Sequence, residues 1–292
     1  MKTELSCIPC LLRQTVETVN LAVTDDKIRT ETVNAVLQFL EKADYNLSPP
    51  ALAKEVYRIL REVTGNPDPY REIKKHYNES ALKIYDRLKQ IVYQSDDPVL
   101  TSAKLAVAGN IIDFGIESSS IDINQIFERI SGRKFEIDDF DKFIYDIKRF
   151  KSILYLADNA GEIVFDRLFI EILKRFYPER NLNITVVVRG APIINDATIE
   201  DAHYIGLDKI AEVIDNGDNA PATILSNVSK RALAHYKKAD IVISKGMGNY
   251  ETLDEETRLI YYLLKVKCNL TANRIGAPIG SLVFKRNQDY NE

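Results

Sequence analysis

The stretch Ser152-Ile153-Leu154-Tyr155-Leu156-Ala157-Asp158-Asn159-Ala160-Gly161-Glu162 decides the fold. Its first half is a short apolar run, which reads as a buried strand. An Asp-Asn pair and a glycine stop that run, and a helical segment follows over about 161–176. Buried strand, polar turn and helix make up the repeating unit of a parallel sheet covered on both faces.

The same unit recurs downstream. Asn183-Ile184-Thr185-Val186-Val187-Val188-Arg189 is rich in β-branched residues and predicts a second strand. Glu212–Asp215, Asp240–Lys245 and Ile260–Val266 predict three more, with helical segments over about 198–204 and 221–237. Upstream of about residue 148 the periodicity is helical. Leu11, Leu12, Thr15, Val16 and Val19 recur at helical spacing, as do Val33, Val36, Leu37 and Leu40. Ser48-Pro49-Pro50 opens a further helix, Gly65-Asn66-Pro67-Asp68-Pro69 breaks the chain, and helices follow over about 70–93 and 97–112. No strand alternation stands out before residue 150. The expectation is α/β: a helical N-terminal domain over 1–148, then a Rossmann-like three-layer α/β/α domain over 149–292 with a mostly parallel sheet.

Composition narrows the function. The chain has 292 residues, 45% hydrophobic and 28% charged, enough for a sizeable core without disulfides. A formal charge of −4 gives no general basic surface for nucleic acid. No apolar run approaches the roughly 18 residues of a membrane span, and the first residues lack a signal-peptide core. Three cysteines do not suggest a disulfide framework. The expected setting is the cytoplasm, with no nucleic-acid or membrane partner and the oligomeric state open.

In open parallel sheets, ligands bind beyond the carboxyl ends of the strands. Each predicted strand is followed there by polar residues: Asp158-Asn159-Ala160-Gly161-Glu162, then Arg189-Gly190 with Asn195-Asp196, then Asn216-Gly217-Asp218-Asn219, then Lys245-Gly246-Met247-Gly248-Asn249, then Lys267. A carboxylate beside an amide carbonyl supplies hard oxygen ligands suited to Mg²⁺ or Mn²⁺, and Asp196 offers a second carboxylate. The helix starting near Gly161 would aim its N-terminus at the same place. Taken singly, Asp158, Asn159 and Asp196 are equally readable as helix caps; their combination favours a site. Ser244-Lys245-Gly246-Met247-Gly248-Asn249 is a glycine-rich turn with a lysine, suited to phosphate but lacking the P-loop order. Arg189 and Lys267 would add positive charge. Cys7-Ile8-Pro9-Cys10 reads as a helix start, with a metal or redox role as the alternative. His76, His203 and His235 show no ligand spacing.

These motifs, taken in order with Gly109-Asn110-Ile111-Ile112-Asp113-Phe114-Gly115 and Asn195-Asp196-Ala197-Thr198, resemble the ARMT-like metal-dependent damage-control phosphatases. The match is to their stand-alone microbial branch with an N-terminal CxxC, and it spans nearly the whole chain. The resemblance implies a divalent metal (Mn²⁺, Co²⁺, Ni²⁺ or Mg²⁺) on Asp158, Asn159 and Asp196. It implies a substrate loop over Ser244–Asn249, including Lys245 and Gly246, and a distal phosphate-binding lysine at Lys267. It also places Asn110 and Asp113 at the cleft. Other branches carry Arg-Thr-x-Lys where this chain has Leu264-Lys265-Val266-Lys267.

The expected reaction is hydrolysis of small phosphomonoesters, such as sugar phosphates or damaged phosphometabolites. Asp158, Glu162 and Lys245 are the expected catalytic residues. The nucleophile is metal-bound water or Asp158 itself, and Glu162 is either a general base or a favourable first-turn charge. The alternatives are a non-catalytic phosphometabolite-binding protein and an S-adenosylmethionine-dependent methyltransferase. The latter lacks the glycine-rich turn its cofactor usually occupies.

Overall fold

The computed structural model describes residues 1–109 and 132–287. Five helices open the chain: α1 (Cys7–Ala22), α2 (Asp26–Lys42), α3 (Pro49–Thr64), α4 (Arg71–Gln94) and α5 (Pro98–Ala108). Their ends obey local chemistry. Asp25 caps α2 by accepting from the Lys27 and Ile28 amides, and Asp97 caps α5 through the Leu100 amide, ahead of Pro98 in the first turn. Gly65 ends α3 at φ 68°, a left-handed position.

The sheet has seven strands: β1 (Ile137–Asp138), β2 (Ser152–Leu156), β3 (Asn183–Val188), β4 (Glu212–Asp215), β5 (Ile241–Lys245), β6 (Ile260–Lys265) and β7 (Leu282–Arg286). Between them run α6 (Phe140–Ile147), α7 (Glu162–Phe176), α8 (Ile199–Tyr204), α9 (Lys230–Lys238), α10 (Gly246–Leu253) and α11 (Asn269–Ile275). The order across the sheet is β1-β7-β6-β5-β2-β3-β4, and every pairing is parallel except β6 with β7. The topology reverses at β2, which lies between β5 and β3. The mostly parallel α/β expectation holds.

Strand alternation sorts the core. Ile153, Tyr155 and Ala157 of the β2 segment face one layer with Ile241 and Ile243 of β5, under α4, α5 and α7. Leu154, Leu156 and Val242 face the other layer, with α9, α10 and β6. A separate core holds α1–α3 together through Val19, Val36, Leu52, Val56 and Leu60, and Ile193 from the loop after β3 inserts into it.

Several elements differ from expectation. Residues 137–138 form a short strand that pairs with β7, and α4 and α5 share their core with the sheet. The helix expected over 221–237 is confined to 230–238. Residues 221–223 instead cover the start of α10, where Pro221 packs on Gly248 and the Thr223 amide donates to Asn249. The glycine-rich segment after β5 is the first turn of α10, a helix that low glycine propensity conceals. Asn110 and Asp113 lie outside the described residues.

Candidate active site

Two loops are zipped together at the carboxyl edge of β2 and β3. The Ala197 amide donates to the Asp158 carbonyl at 2.8 Å, and the Ala160 amide donates to the Asn195 carbonyl at 2.8 Å. Asn159 and Asp196 face each other as an isolated antiparallel bridge. The second loop is strained: Ile194 sits at φ 44°, a position that a β-branched residue rarely adopts. Such a position costs about 1–3 kcal/mol and persists only where the surroundings impose it. Here the burial of Ile193 in the α1–α3 core supplies the constraint. The helical bundle thereby sets the place of Asp196.

Arg189 enters at the end of β3 and is fully buried. Its Nε donates to Asp196 Oδ2 at 2.6 Å, and its Nη2 lies 3.7 Å from Asp158 Oδ1. Its Nη1 reaches Thr223 Oγ1 and Asn249 Oδ1, both at 3.4 Å. Arg189 therefore holds both carboxylates from behind. Asp158 is the more accessible of the two, with 12% of its side chain exposed against 5% for Asp196. Burial, then Asp196, then Glu162 push the Asp158 carboxyl up to about 8. Burial also raises Asp196, opposed by Arg189.

Lys245 does not face this opening. It shares strand parity with Ile241 and Ile243, so it projects into the layer under α5 and α7. Its Nζ donates to Glu162 Oε1 at 2.6 Å, Asp166 Oδ1 at 2.6 Å and the Ala106 carbonyl at 2.8 Å. Those three acceptors use its three protons, and the side chain is 0% exposed. Burial alone would lower this ammonium, but the two carboxylates outweigh it and hold it above its usual range. Sequence reasoning expected Lys245 to contact substrate; this structure places it among these acceptors, outside the lining of the opening. Asn249 is likewise occupied: its Oδ1 accepts from the Thr223 amide, and its Nδ2 donates to the Lys245 and Ala157 carbonyls. The Ser244 hydroxyl is buried on the opposite face of β5 and has no hydrogen-bond partner among the described residues. The Gly161 amide of α7 is taken by Asn78 Oδ1 at 2.7 Å, so it is not free for an anion.

Gly246 and Lys267 do belong to the opening. A small cavity is lined by Asp158, Glu162, Gly246, Met247, Lys265 and Lys267. The Asp158 carboxylate rests against Gly246, at φ 77°: a Cβ there would stand 2.1 Å from Asp158 Oδ2. Lys267 is exposed, and its charge favours ionised Asp158. Gly246 and Met247 of the first turn of α10 line the same cavity, and first-turn amides of a helix lack intrahelical acceptors. A larger surface groove, at the far end of α7 around Tyr93, Lys174 and Phe176, contains none of these residues. Cys7 starts α1; burial raises its thiol, and Glu251, Cys268 and Cys10 add to the rise. Sequence reasoning missed Asp166, although its place one turn after Glu162 on an otherwise apolar helix face was a usable signal.

With the geometry in place, the relatives can be read. A family model described as damage-control phosphatase ARMT1-like domain matches residues 3–283. The chain belongs to this family. The damage-control phosphatase PH1575 of Pyrococcus horikoshii is 34% identical over 290 residues, covering 99% of each chain. A damage-control phosphatase of Archaeoglobus fulgidus is 36% identical over 295 residues, covering 98% of this chain and 99% of that one. The crystal structure of the Pyrococcus protein, described as a DUF89 family protein, superposes with a TM-score of 0.89 over 99% of this chain and all of that one.

The donor set of this family member suits a divalent ion. Four buried or nearly buried carboxylates (Asp158, Asp196, Glu162 and Asp166) share two buried cations, Arg189 and Lys245. Fully ionised, they carry a surplus of two negative charges, which one divalent cation would neutralise. The Asn159 amide nitrogen donates to Asp158 Oδ2 at 2.7 Å and Glu162 Oε2 at 3.2 Å, leaving its carbonyl oxygen as a spare hard acceptor. Among the described residues no group of three or more His, Cys, Asp or Glu side chains is arranged to hold a metal. The candidate set is instead two carboxylates and an amide. Among the same residues no helix is long and apolar enough to cross a membrane.

Proposed function

We propose that this protein is a divalent-metal-dependent phosphatase acting on small phosphomonoesters, in keeping with its membership of the damage-control family. The observation that carries the reading is the pairing of Asn159 with Asp196 across the two zipped loops, next to Asp158, which lines an opening together with Lys267 and the start of α10. Asp158, Asn159 and Asp196 would hold the metal. A bound divalent ion supplies Lewis-acid polarisation of a phosphoryl oxygen and offsets its charge. Lys267, exposed at the rim, meets the phosphate as a mobile point charge. The α10 amides add fixed donors for phosphoryl oxygens. Arg189 holds Asp196 and Asp158 in place from behind and offsets part of the rise that burial imposes on both carboxyls. Asp158 is the most accessible of the four carboxylates and lines the cavity.

The test is phosphate release from a panel of sugar phosphates and other phosphomonoesters, with Mn²⁺, Co²⁺, Ni²⁺ or Mg²⁺ and with chelator. Activity should require a divalent ion, and Asp158→Asn should lower turnover by roughly 10³-fold or more on the scale of lost metal-assisted chemistry. Metal-independent turnover, or an Asp158→Asn enzyme of near-normal rate, would overturn the reading.

A further inference from the structure

Lys245 and Asp166 are fully buried and outside the lining of the opening, yet they lead directly to a candidate metal ligand. From Lys245 Nζ one branch runs to Asp166 Oδ1 at 2.6 Å, which also accepts from the Tyr155 hydroxyl at 2.6 Å. The other branch runs to Glu162 Oε1 at 2.6 Å. The second oxygen of the same carboxylate, Glu162 Oε2, accepts from Asn159 Nδ2 at 3.2 Å, and that nitrogen also donates to Asp158 Oδ2 at 2.7 Å.

A glutamate at a helix start has several rotamers available. Lys245 selects one by claiming Oε1, which turns Oε2 toward Asn159. The amide of Asn159 has a donor end and an acceptor end, and only the acceptor end ligates a cation. Two carboxylate oxygens against its NH₂ group settle which end is which. The ammonium can stay in the interior because Asp166 shares it.

We propose that the Lys245–Asp166 ion pair is a positioning device for Asn159: it locks Glu162 so that the Asn159 carbonyl oxygen, and not its NH₂ group, is available to a divalent cation. This rests on the metal-site reading above. Groups that orient metal ligands in this way are commonly worth about 10–100-fold in metal affinity.

The sign of the effect separates positioning from plain electrostatics. If charge alone matters, removing the buried positive charge should tighten cation binding, and removing it together with Asp166 should leave binding nearly unchanged. Positioning predicts weaker binding in both. Mn²⁺ alone is titrated into wild type, Lys245→Met and the double variant Lys245→Met/Asp166→Leu, with calorimetry and the electron paramagnetic resonance signal of free Mn²⁺ as readouts. The double variant removes one charge of each sign and leaves one carboxylate, Glu162, without Lys245, where the single variant leaves two. A cooperative melt establishes folding. The expected result is an Mn²⁺ Kd raised about 10–100-fold in the folded double variant, with the substrate KM at saturating Mn²⁺ unchanged. An Mn²⁺ Kd within twofold of wild type, or tighter, overturns the positioning role and leaves the metal site standing. A raised KM at saturating Mn²⁺ overturns it in favour of direct substrate contact. Wild-type protein that takes up no divalent ion overturns the metal-site reading itself, and the positioning role with it.

Discussion

Replacing Gly246 with alanine tests the geometry of the opening most directly. The added methyl carbon would stand 2.1 Å from Asp158 Oδ2 and 2.4 Å from its Cγ. An ordinary carbon–oxygen contact is about 3.3 Å, so carboxylate or backbone must retreat by roughly 1 Å. The residue also sits at φ 77°, where an L side chain adds about 1–2 kcal/mol. Two effects should therefore appear together: a Tm lowered by several degrees, and a loss of about 10²-fold in kcat/KM, the usual cost of displacing a reacting group by an ångström. Gly65→Ala isolates the first effect. Gly65 has a comparable φ of 68°, but a Cβ there meets nothing within 4 Å. It should lower Tm and leave phosphate release intact. The assays are calorimetric melting and phosphate release at saturating Mn²⁺. If Gly246→Ala retains kcat/KM within threefold of wild type, Asp158 is not held where the reasoning requires.

Lys267→Ala should raise KM for a phosphomonoester about tenfold, the scale of one lost charged contact, while leaving the melting curve unchanged, because this side chain is exposed; an unaltered KM would remove it from the substrate site. Glu251 gives a pH prediction away from the candidate metal ligands. Burial pushes its carboxyl from 4.5 up to about 7, so the folded chain binds this proton more tightly than the unfolded chain. The resulting stability is fully present below about pH 4.5 and is lost as pH rises through about 7. Glu251→Gln should thus be more stable than wild type at pH 8, by an amount on the order of 3 kcal/mol at most, and little different at pH 4.5. Urea unfolding at the two pH values measures this, and an equal difference at both would contradict it.

Much of the fold is legible in the sequence because strands buried on both faces have to be apolar. Ser152–Leu156, Asn183–Val188 and Ile241–Lys245 stand out for that reason. The edge elements are not legible. β1 is two residues long and is a strand only because β7 lies beside it, and β7 turns antiparallel after Gly280. At the site, the rule that ligands bind beyond the carboxyl ends of parallel strands is enough to nominate Asp158, Asn159 and Asp196 as candidates, because it needs only topology. The same rule misplaces Lys245. It ends a strand, as the others do, but its direction depends on parity: as the fifth residue of β5 it shares the face of Ile241 and Ile243 and meets Glu162 and Asp166 from α7.

What the sequence by itself determined was which segments are strands, which edge of the sheet collects polar groups, and which family the ordered motifs resemble. These are local or ordinal properties, written in composition and spacing. Only the tertiary structure decided how those groups are shared out. The zipping of the two loops places Asn159 against Asp196. Insertion of Ile193 into a helical core far earlier in the chain holds Ile194 in a strained turn. The space over Gly246 admits the Asp158 carboxylate. Each depends on contacts between segments distant in sequence, and partner and direction at such contacts are set by packing, which no single stretch of residues contains.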